Sequence, residues 1–246
     1  MKDLFIRSVQ ILWEEIAQES YLRSIAALSF CQALEFEKNV TFFAGENGSG
    51  KSTLLEGIAV AYGFNPEGGS RNYRFSTFDS HSPLHGAIRL AKGARRPRTG
   101  YFLRAESFYN VASKAEDYRD GDAEEAYYAQ MGGRSLHCQS HGESFLALIQ
   151  GYFQPDGLYL LDEPEAALSP GSQLVLLLRL QELSRQGAQF IIATHSPILL
   201  GLPKAQILCF DGGCIKPCRY EQTESYRVTE LFINHRERVL RNLFYE

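Results

Sequence analysis

At 246 residues, with 44% hydrophobic and 22% charged side chains, the chain has the balance of a globular protein that buries a sizeable core. That composition excludes a disordered segment, a collagen-like repeat and a disulfide-stapled miniprotein. Twenty-five basic against 29 acidic residues leave a net charge of −4, so there is no overall basic coat for gripping nucleic acid, although a local patch stays open.

The N-terminus, MKDLFIRSVQILWEE, lacks the apolar core and small-residue cleavage site of a secretory signal. Val40 to Phe43 form a short β-branched and aromatic run. A glycine-rich turn follows, and Leu54, Leu55, Ile58 and Ala61 then recur at helical spacing. Residues 63–99 read as irregular connection with one short helix, and YFLRA at 101–105 as a strand. Residues 106–135, acidic around EDYRDGDAEE, read as helix with loops, and a helix starting near Gly142 carries the apolar stripe of ESFLALIQGYF. LYLLD at 158–162, FIIAT at 190–194 and QILCF at 206–210 are short runs of buried-strand type.

Between the first two of these runs, Ser169 and Pro170 supply an N-cap and a favoured first residue for a helix with Leu174, Leu177 and Leu178 on one face. This most apolar run, at 173–183, is short and carries Arg179, which fits a core-facing helix rather than a membrane span. The tail from Val228 to Leu243 reads as an amphipathic helix. Strands alternating with helices predict an α/β fold around a mainly parallel sheet. Five cysteines (Cys31, Cys138, Cys209, Cys214, Cys218), odd in number and thinly spread, suit a reducing compartment, so a soluble, cytoplasmic chain is expected.

GENGSGKS at 45–52 fits the pattern G-x-x-x-x-G-K-[ST], with Gly45, Gly50, Lys51 and Ser52 at the fixed positions. Glycines let the backbone fold tightly, so that successive N–H groups of Gly45, Glu46, Asn47, Gly48, Ser49 and Gly50 converge on phosphate oxygens at a helix N-terminus. Lys51 would bridge the β- and γ-phosphates, and the Ser52 hydroxyl would ligate Mg²⁺.

At the end of the 158–162 run stand two acids. Asp162 is placed to hold the same Mg²⁺, and Glu163 to polarise an attacking water as general base. Pro164 then turns the chain. His195, just past another apolar run, sits at the mouth of a parallel sheet, where it would bond the γ-phosphate or hold the lytic water.

The ordered set GENGSGKST, QSHGES, LYLLDEPEAAL and ATHSP resembles the ABC-type ATPase family. The likeness spans roughly 25–210. In flavour it is similar to soluble RecF, SMC and OLD-type relatives, and above all to small stand-alone bacterial ATPases of that group. The resemblance implies one ABC-type ATPase head over 1–246. Its nucleotide-binding core would cover about 1–100 and 155–246, with an antiparallel N-terminal β part, and a small helical signature lobe would cover about 105–154. It extends the nucleotide-binding set to Thr53 and makes Glu163, His195 and Lys51 the catalytic residues, with Ser52 and Asp162 on the metal. EAALSP resembles the family's D-loop, with Ser169 where an aspartate is usual.

QSHGES is a degenerate signature in which Ser140 and Gly142 match and His141 replaces a glycine. Its distances fit, Ser140 lying 22 residues before Asp162 and His195 lying 33 after it. The family's mode of action implies that Ser140, His141, Gly142 and Glu143 of one copy would close over ATP held by another, giving a homodimer on ATP binding. Mg²⁺ and ATP are the implied cofactor and substrate.

Where transporter subunits carry the Q-loop glutamine, GYFLRAESF at 100–108 offers Arg104 or Glu106. No heptad arm divides the chain, and no nuclease domain is expected after residue 246. ATP hydrolysis by a dimerising ATPase is therefore expected. The alternative is a nucleotide-gated switch acting on DNA or an effector protein, and a transporter's nucleotide-binding subunit ranks third.

Several features carry less. KGARRPR at 92–98 reads as a solvated loop before a phosphate-backbone contact. Cys209, Cys214 and Cys218, with His137, Cys138 and His141, lack a recognised zinc spacing. His81 and His85 are open between capping, solvation and lining the pocket. Tyr21, Phe30 and Phe36 are open between stacking on adenine and core packing.

Overall fold

The computed structural model describes residues 4–70, 82–104 and 141–245, with His141 and Tyr245 described by backbone alone. In chain order its strands and helices are β1 (Ile6–Ile11), α1 (Ala26–Ser29), β2 (Ala33–Glu35), β3 (Val40–Ala44), α2 (Lys51–Tyr62), β4 (Gly69–Ser70), β5 (Ile88–Lys92) and β6 (Thr99–Arg104), then α3 (His141–Tyr152), β7 (Gly157–Asp162), α4 (Pro170–Arg185), β8 (Gln189–Ala193), α5 (Pro197–Leu200), β9 (Gln206–Cys209), β10 (Lys216–Pro217) and α6 (Glu224–Tyr245).

Every residue of β3, β7 and β8 is buried. Continuous apolar runs of this kind belong to a parallel sheet covered on both faces. The central sheet runs β10-β9-β3-β8-β7-β6-β4, with β9, β3, β8, β7 and β6 parallel and the two edge strands antiparallel. Side chains alternate between its faces as the pleat requires. Phe43, Leu158, Leu160, Ile191 and Leu208 pack toward α2 and a separate antiparallel sheet, β2-β1-β5. Phe42, Tyr159, Leu161, Phe190 and Ile192 pack toward α3 and α4. On that second face the Phe153 ring stacks on Tyr159 at 4.1 Å, and Tyr159 lies 5.1 Å from Phe190.

One buried amide joins the two sheets. Gln189, 1% exposed, accepts hydrogen bonds from the N–H groups of Phe5 (2.8 Å) and Ile6 (2.9 Å) through Oε1 and donates Nε2 to the Ile6 carbonyl at 2.8 Å. It satisfies three backbone groups that water does not reach.

Several expectations change. The core face of α4 is Gln173, Leu176, Leu180 and Leu183, whereas Leu174 and Leu178 are exposed and Leu177 is half-buried. Apolar residues surround most of this helix, so their periodicity does not set its phase. Within 63–99 the short helix is a 3₁₀ turn at Pro83–Ala87, and the strand β5 follows it, paired with β1. The 92–98 loop is partly tied down. Arg95 pairs with Asp156 and lies over the Phe5 ring, and the Lys92 ammonium sits 4.7 Å from the Tyr62 ring.

Cys209 and Cys218 are joined by a disulfide beside the β9–β10 pairing, a link their spacing did not signal, while Cys31 and Cys214 are free thiols. Burial pushes the Cys31 thiol up to about 11, so it is inert near neutral pH. The helix with loops expected over 106–135 lies outside the described residues, as do His81, Glu106, His137 and Cys138. Among the described residues no helix is long and apolar enough to cross a membrane.

Replacing Gln189 with leucine leaves two N–H groups and a carbonyl unsatisfied. The expected loss is about 2–4 kcal/mol of unfolding free energy, read as a lower urea midpoint at unchanged slope.

Candidate nucleotide site

Strand register brings the candidate residues to one level. In the parallel ladders Phe43 faces Ala193 across β3–β8, and Ala193 faces Asp162 across β8–β7. The 45–50 turn, the Asp162–Glu163 pair and the Thr194–His195 step therefore leave three adjacent strands at the same carboxyl edge, the place where ligands bind open α/β sheets.

The turn is pinned from both sides. Gly45 has φ +146°, and a Cβ there would stand 2.7 Å from Asp211 Oδ1, which accepts the Glu46 N–H at 3.1 Å. Gly50 is left-handed at φ +98° as it caps α2, and its Cβ would meet Ile25 Cγ2 at 2.7 Å. Only glycine fits either position without strain.

Lys51, 3% exposed, donates Nζ to the carbonyls of Gly45 and Glu46, both at 2.7 Å. Burial lowers its pKa below the ordinary lysine value, against the field of Glu163, Asp211, Asp162 and Glu165, which raises it. Inside the same turn the buried Ser49 Oγ finds no hydrogen-bond partner among the described residues. The arrangement is a concave set of backbone donors with a cation at its centre and the positive end of a 12-residue helix behind it, which suits a chain of phosphates.

Across the edge, Asp162 is buried at the end of β7. Glu163 adopts left-handed backbone (φ +48°, ψ +52°), a conformation that costs a non-glycine residue about 1–2 kcal/mol. Its own N–H is held by the Ala193 carbonyl at 2.9 Å, which turns the side chain off the strand line. His195 Nδ1 lies 3.9 Å from Glu163 Oε1 and 3.6 Å from Glu165 Oε1. The Ser52 hydroxyl and Asp162 carboxylate are hard oxygen donors, a set that suits Mg²⁺ rather than a thiolate-loving metal. No cluster of three His, Cys, Asp or Glu side chains with metal-binding geometry occurs among the described residues.

Two site residues escaped the sequence reading. Glu165 accepts three hydrogen bonds on Oε1, from Thr194 Oγ1 (2.6 Å), His195 N (2.8 Å) and Ser196 N (3.1 Å), and so clamps the histidine step to the acidic turn. The second glutamate of DEPE was its only signal. Asp211, which pins the phosphate turn, follows the β9 strand with no motif to mark it.

Gly142 opens α3 against the 164–167 turn, its missing Cβ leaving room for the Ala167 carbonyl. Glu143 follows it on the first turn, while Ser140 and the His141 side chain lie outside the described residues. His85 Nδ1 bonds the Ser82 carbonyl at 3.0 Å. Phe36 is core, whereas Tyr21 and Phe30 are exposed on the segment whose Ile25 and Leu28 abut Gly50. A cavity of about 500 Å³ opens at Gly45, Glu46 and His195 and is walled on its far side by Thr223, Glu224 and Val228 of the C-terminal segment.

Glu165→Ala leaves the Thr194 hydroxyl and the His195 N–H without this acceptor, while the Ser196 N–H keeps Thr194 Oγ1 at 3.0 Å. It is expected to cost about 2–3 kcal/mol, a melting point lower by roughly 5–10 °C for a domain of this size. Glu163→Gln, which removes no such clamp, is expected to melt within about 2 °C of the unmodified protein.

Two family models match the chain. One, "AAA domain", covers residues 21–120, and one, "AAA domain, putative AbiEii toxin, Type IV TA system", covers 130–201. An uncharacterized ABC transporter ATP-binding protein of Haemophilus influenzae is 27% identical over 65% of this chain and 65% of its own length. The hemin import ATP-binding protein HmuV of Pseudomonas fluorescens is 29% identical over 69% of this chain and 71% of its own. The chain thus spans just under two thirds of the length of the first of these relatives.

In fold it is similar to a nucleotide-free ATP-binding cassette from an ABC transporter, with a TM-score of 0.53, 17% identity, and 94% of this chain and 95% of that one covered. A second ATP-binding cassette, in its ADP conformation, gives a TM-score of 0.51 at 18% identity over 99% of each chain. With its glycine-rich turn, its acidic strand end and this fold, the chain is similar to ATP-binding cassettes and matches AAA-domain models over two of its parts.

Proposed function

We propose that residues 1–246 act as one catalytic unit that binds Mg-ATP on residues 45–53, hydrolyses it slowly and dimerises head to tail around it. The observation that carries this reading is the shared level of the phosphate turn, Asp162 and His195 at three adjacent strand ends. Backbone N–H groups of the turn would hold the phosphates, and Lys51 would leave the two carbonyls it now holds to bridge the β- and γ-oxygens. Ser52 and Asp162 would hold Mg²⁺, which supplies charge neutralisation on the phosphate oxygens when bound.

Glu163, turned off its strand, would accept a proton from the attacking water, while His195, clamped by Glu165, would hold that water or the γ-phosphate. Phosphoryl transfer asks little covalent work of the protein, so placement and charge carry most of the rate. Tyr21 and Phe30, exposed on the segment whose Ile25 and Leu28 abut Gly50, would offer a face to adenine.

In the dimer, Ser140, His141, Gly142 and Glu143 of one copy would reach the γ-phosphate held by the other. ATP would then act as a bridging ligand whose γ-phosphate favours the closed state. We place the protein in the cytoplasm, with its output passed to a partner.

One curated relative is named as an ABC transporter ATP-binding protein and the other as a hemin import ATP-binding protein, which supports a nucleotide-binding subunit of a membrane transporter as firmly as a stand-alone switch on DNA or an effector protein. Recovery in the membrane fraction with an integral partner selects the first. Phosphate release stimulated by DNA and not by other polyanions selects the second.

With Mg-ATP, Glu163→Gln is expected to run at dimer mass by light scattering and to release phosphate roughly 10²–10⁴-fold more slowly. Lys51→Ala is expected to stay monomeric and bind no ATP. Monomer alone for Glu163→Gln rules out the nucleotide sandwich.

A further inference from the structure

Arg104 ends β6 opposite Asp162 in the parallel ladder with β7, so the two side chains rise together at the carboxyl edge of the sheet. The guanidinium donates Nη1 to Glu56 Oε2 at 2.6 Å and holds Nε 3.8 Å from Asp162 Oδ2. Nη1 also reaches the Pro66 carbonyl at 3.4 Å. Glu56 stands one helical turn beyond Ser52 on α2, and its other oxygen, Oε1, accepts the Ser82 N–H at 2.8 Å. The side chains of Glu56 and Asp162 are 10% and 9% exposed. Two carboxylates this deep, with charges only partly screened by water, need a counter-ion in the folded protein. Arg104 supplies it.

A guanidinium keeps its charge at any accessible pH, and its planar fork presents donors from several nitrogens to acceptors on two elements, where an ammonium presents all its donors from one atom. With Arg104 in place the three groups sum to −1; without it they sum to −2, beside the Ser52 hydroxyl. A divalent cation is held by several oxygen ligands and by their negative charge. We propose that Arg104 is a positioning residue that stands as fixed counter-ion to Asp162 and Glu56, keeping a divalent cation out of the site until a nucleotide triphosphate brings its own anionic oxygens. Metal and nucleotide then enter together. This rests on the nucleotide-site reading above and adds to it the order of loading.

The test uses Mn²⁺ as probe, its free ion counted by electron paramagnetic resonance, on the full chain and on Arg104→Met, Arg104→Lys and Arg104→Met with Asp162→Asn. Without nucleotide, Arg104→Met is expected to bind Mn²⁺ at least tenfold more tightly than the unmodified protein. Arg104→Lys should fall between them, and the added Asp162→Asn should abolish the gain. With a non-hydrolysable ATP analogue, the unmodified protein, Arg104→Met and Arg104→Lys should each take up one Mn²⁺.

Should Arg104→Met fail to fold around an uncompensated Glu56, pairing it with Glu56→Gln removes both charges and leaves Asp162 without its cation at an unchanged sum of −1. Mn²⁺ binding above the unmodified protein and below the gain expected of Arg104→Met is then expected. Equal Mn²⁺ binding by unmodified and folded variant proteins without nucleotide, with normal uptake beside the analogue, overturns the role of Arg104 and leaves the nucleotide site standing. Absence of Mn²⁺ uptake with the analogue in every protein overturns both.

Discussion

The in-register parallel pairing of β3, β8 and β7 is the constraint on which the rest of the site depends. Parallel strands have carboxyl ends on one side of the sheet, and when the ladder is in register those ends are level. Each of these strands is wholly buried, so polar groups are forced to its end, where the backbone leaves the sheet. The glycine-rich turn, the acidic pair and the histidine step thereby converge, although the turn lies more than 100 residues before the other two in the chain. Gln189 guards the opposite end of the same arrangement, tying β8 to the backbone at the start of β1.

Charge at the edge is arranged in pairs and clamps rather than as isolated ions. Lys51 is buried among carbonyls, and its charged form is supported by Glu163, Asp211, Asp162 and Glu165 against the cost of desolvation. Glu165 spends one oxygen on three donors, a geometry available only to a carboxylate facing a tight turn. Arg104 bridges Glu56 and Asp162, so the P-loop helix and the acidic strand share one cation. Glu224, at the start of α6, lies close enough to Glu46 that the neighbouring carboxylate raises its pKa, bringing the C-terminal helix into the electrostatics of the phosphate turn.

The resemblance drawn from motif order, the two matched AAA-domain models and the cassette-like fold all point toward a nucleotide-binding ATPase fold. They diverge on its work. The curated relatives are named as transport ATP-binding proteins, while in this chain Arg104 is engaged with Glu56 and Asp162.

The glycine-rich turn before α2, the strands at β3, β7, β8 and β9 and the acidic strand end were legible in the chain itself. Each is local: backbone donors, glycines and a lysine must sit within eight residues to cradle a phosphate, and a buried strand announces itself by an unbroken apolar run. The phase of α4 was not legible, because leucines on most of its circumference satisfy any rotation, and only packing against β7 and β8 selects Leu176, Leu180 and Leu183. Neither were the Glu165 clamp, the Asp211 tether, the Arg104 bridge or the Cys209–Cys218 link. These depend on distances of a few ångströms between residues whose separation along the chain says nothing of their separation in space, so only the folded sheet decides them.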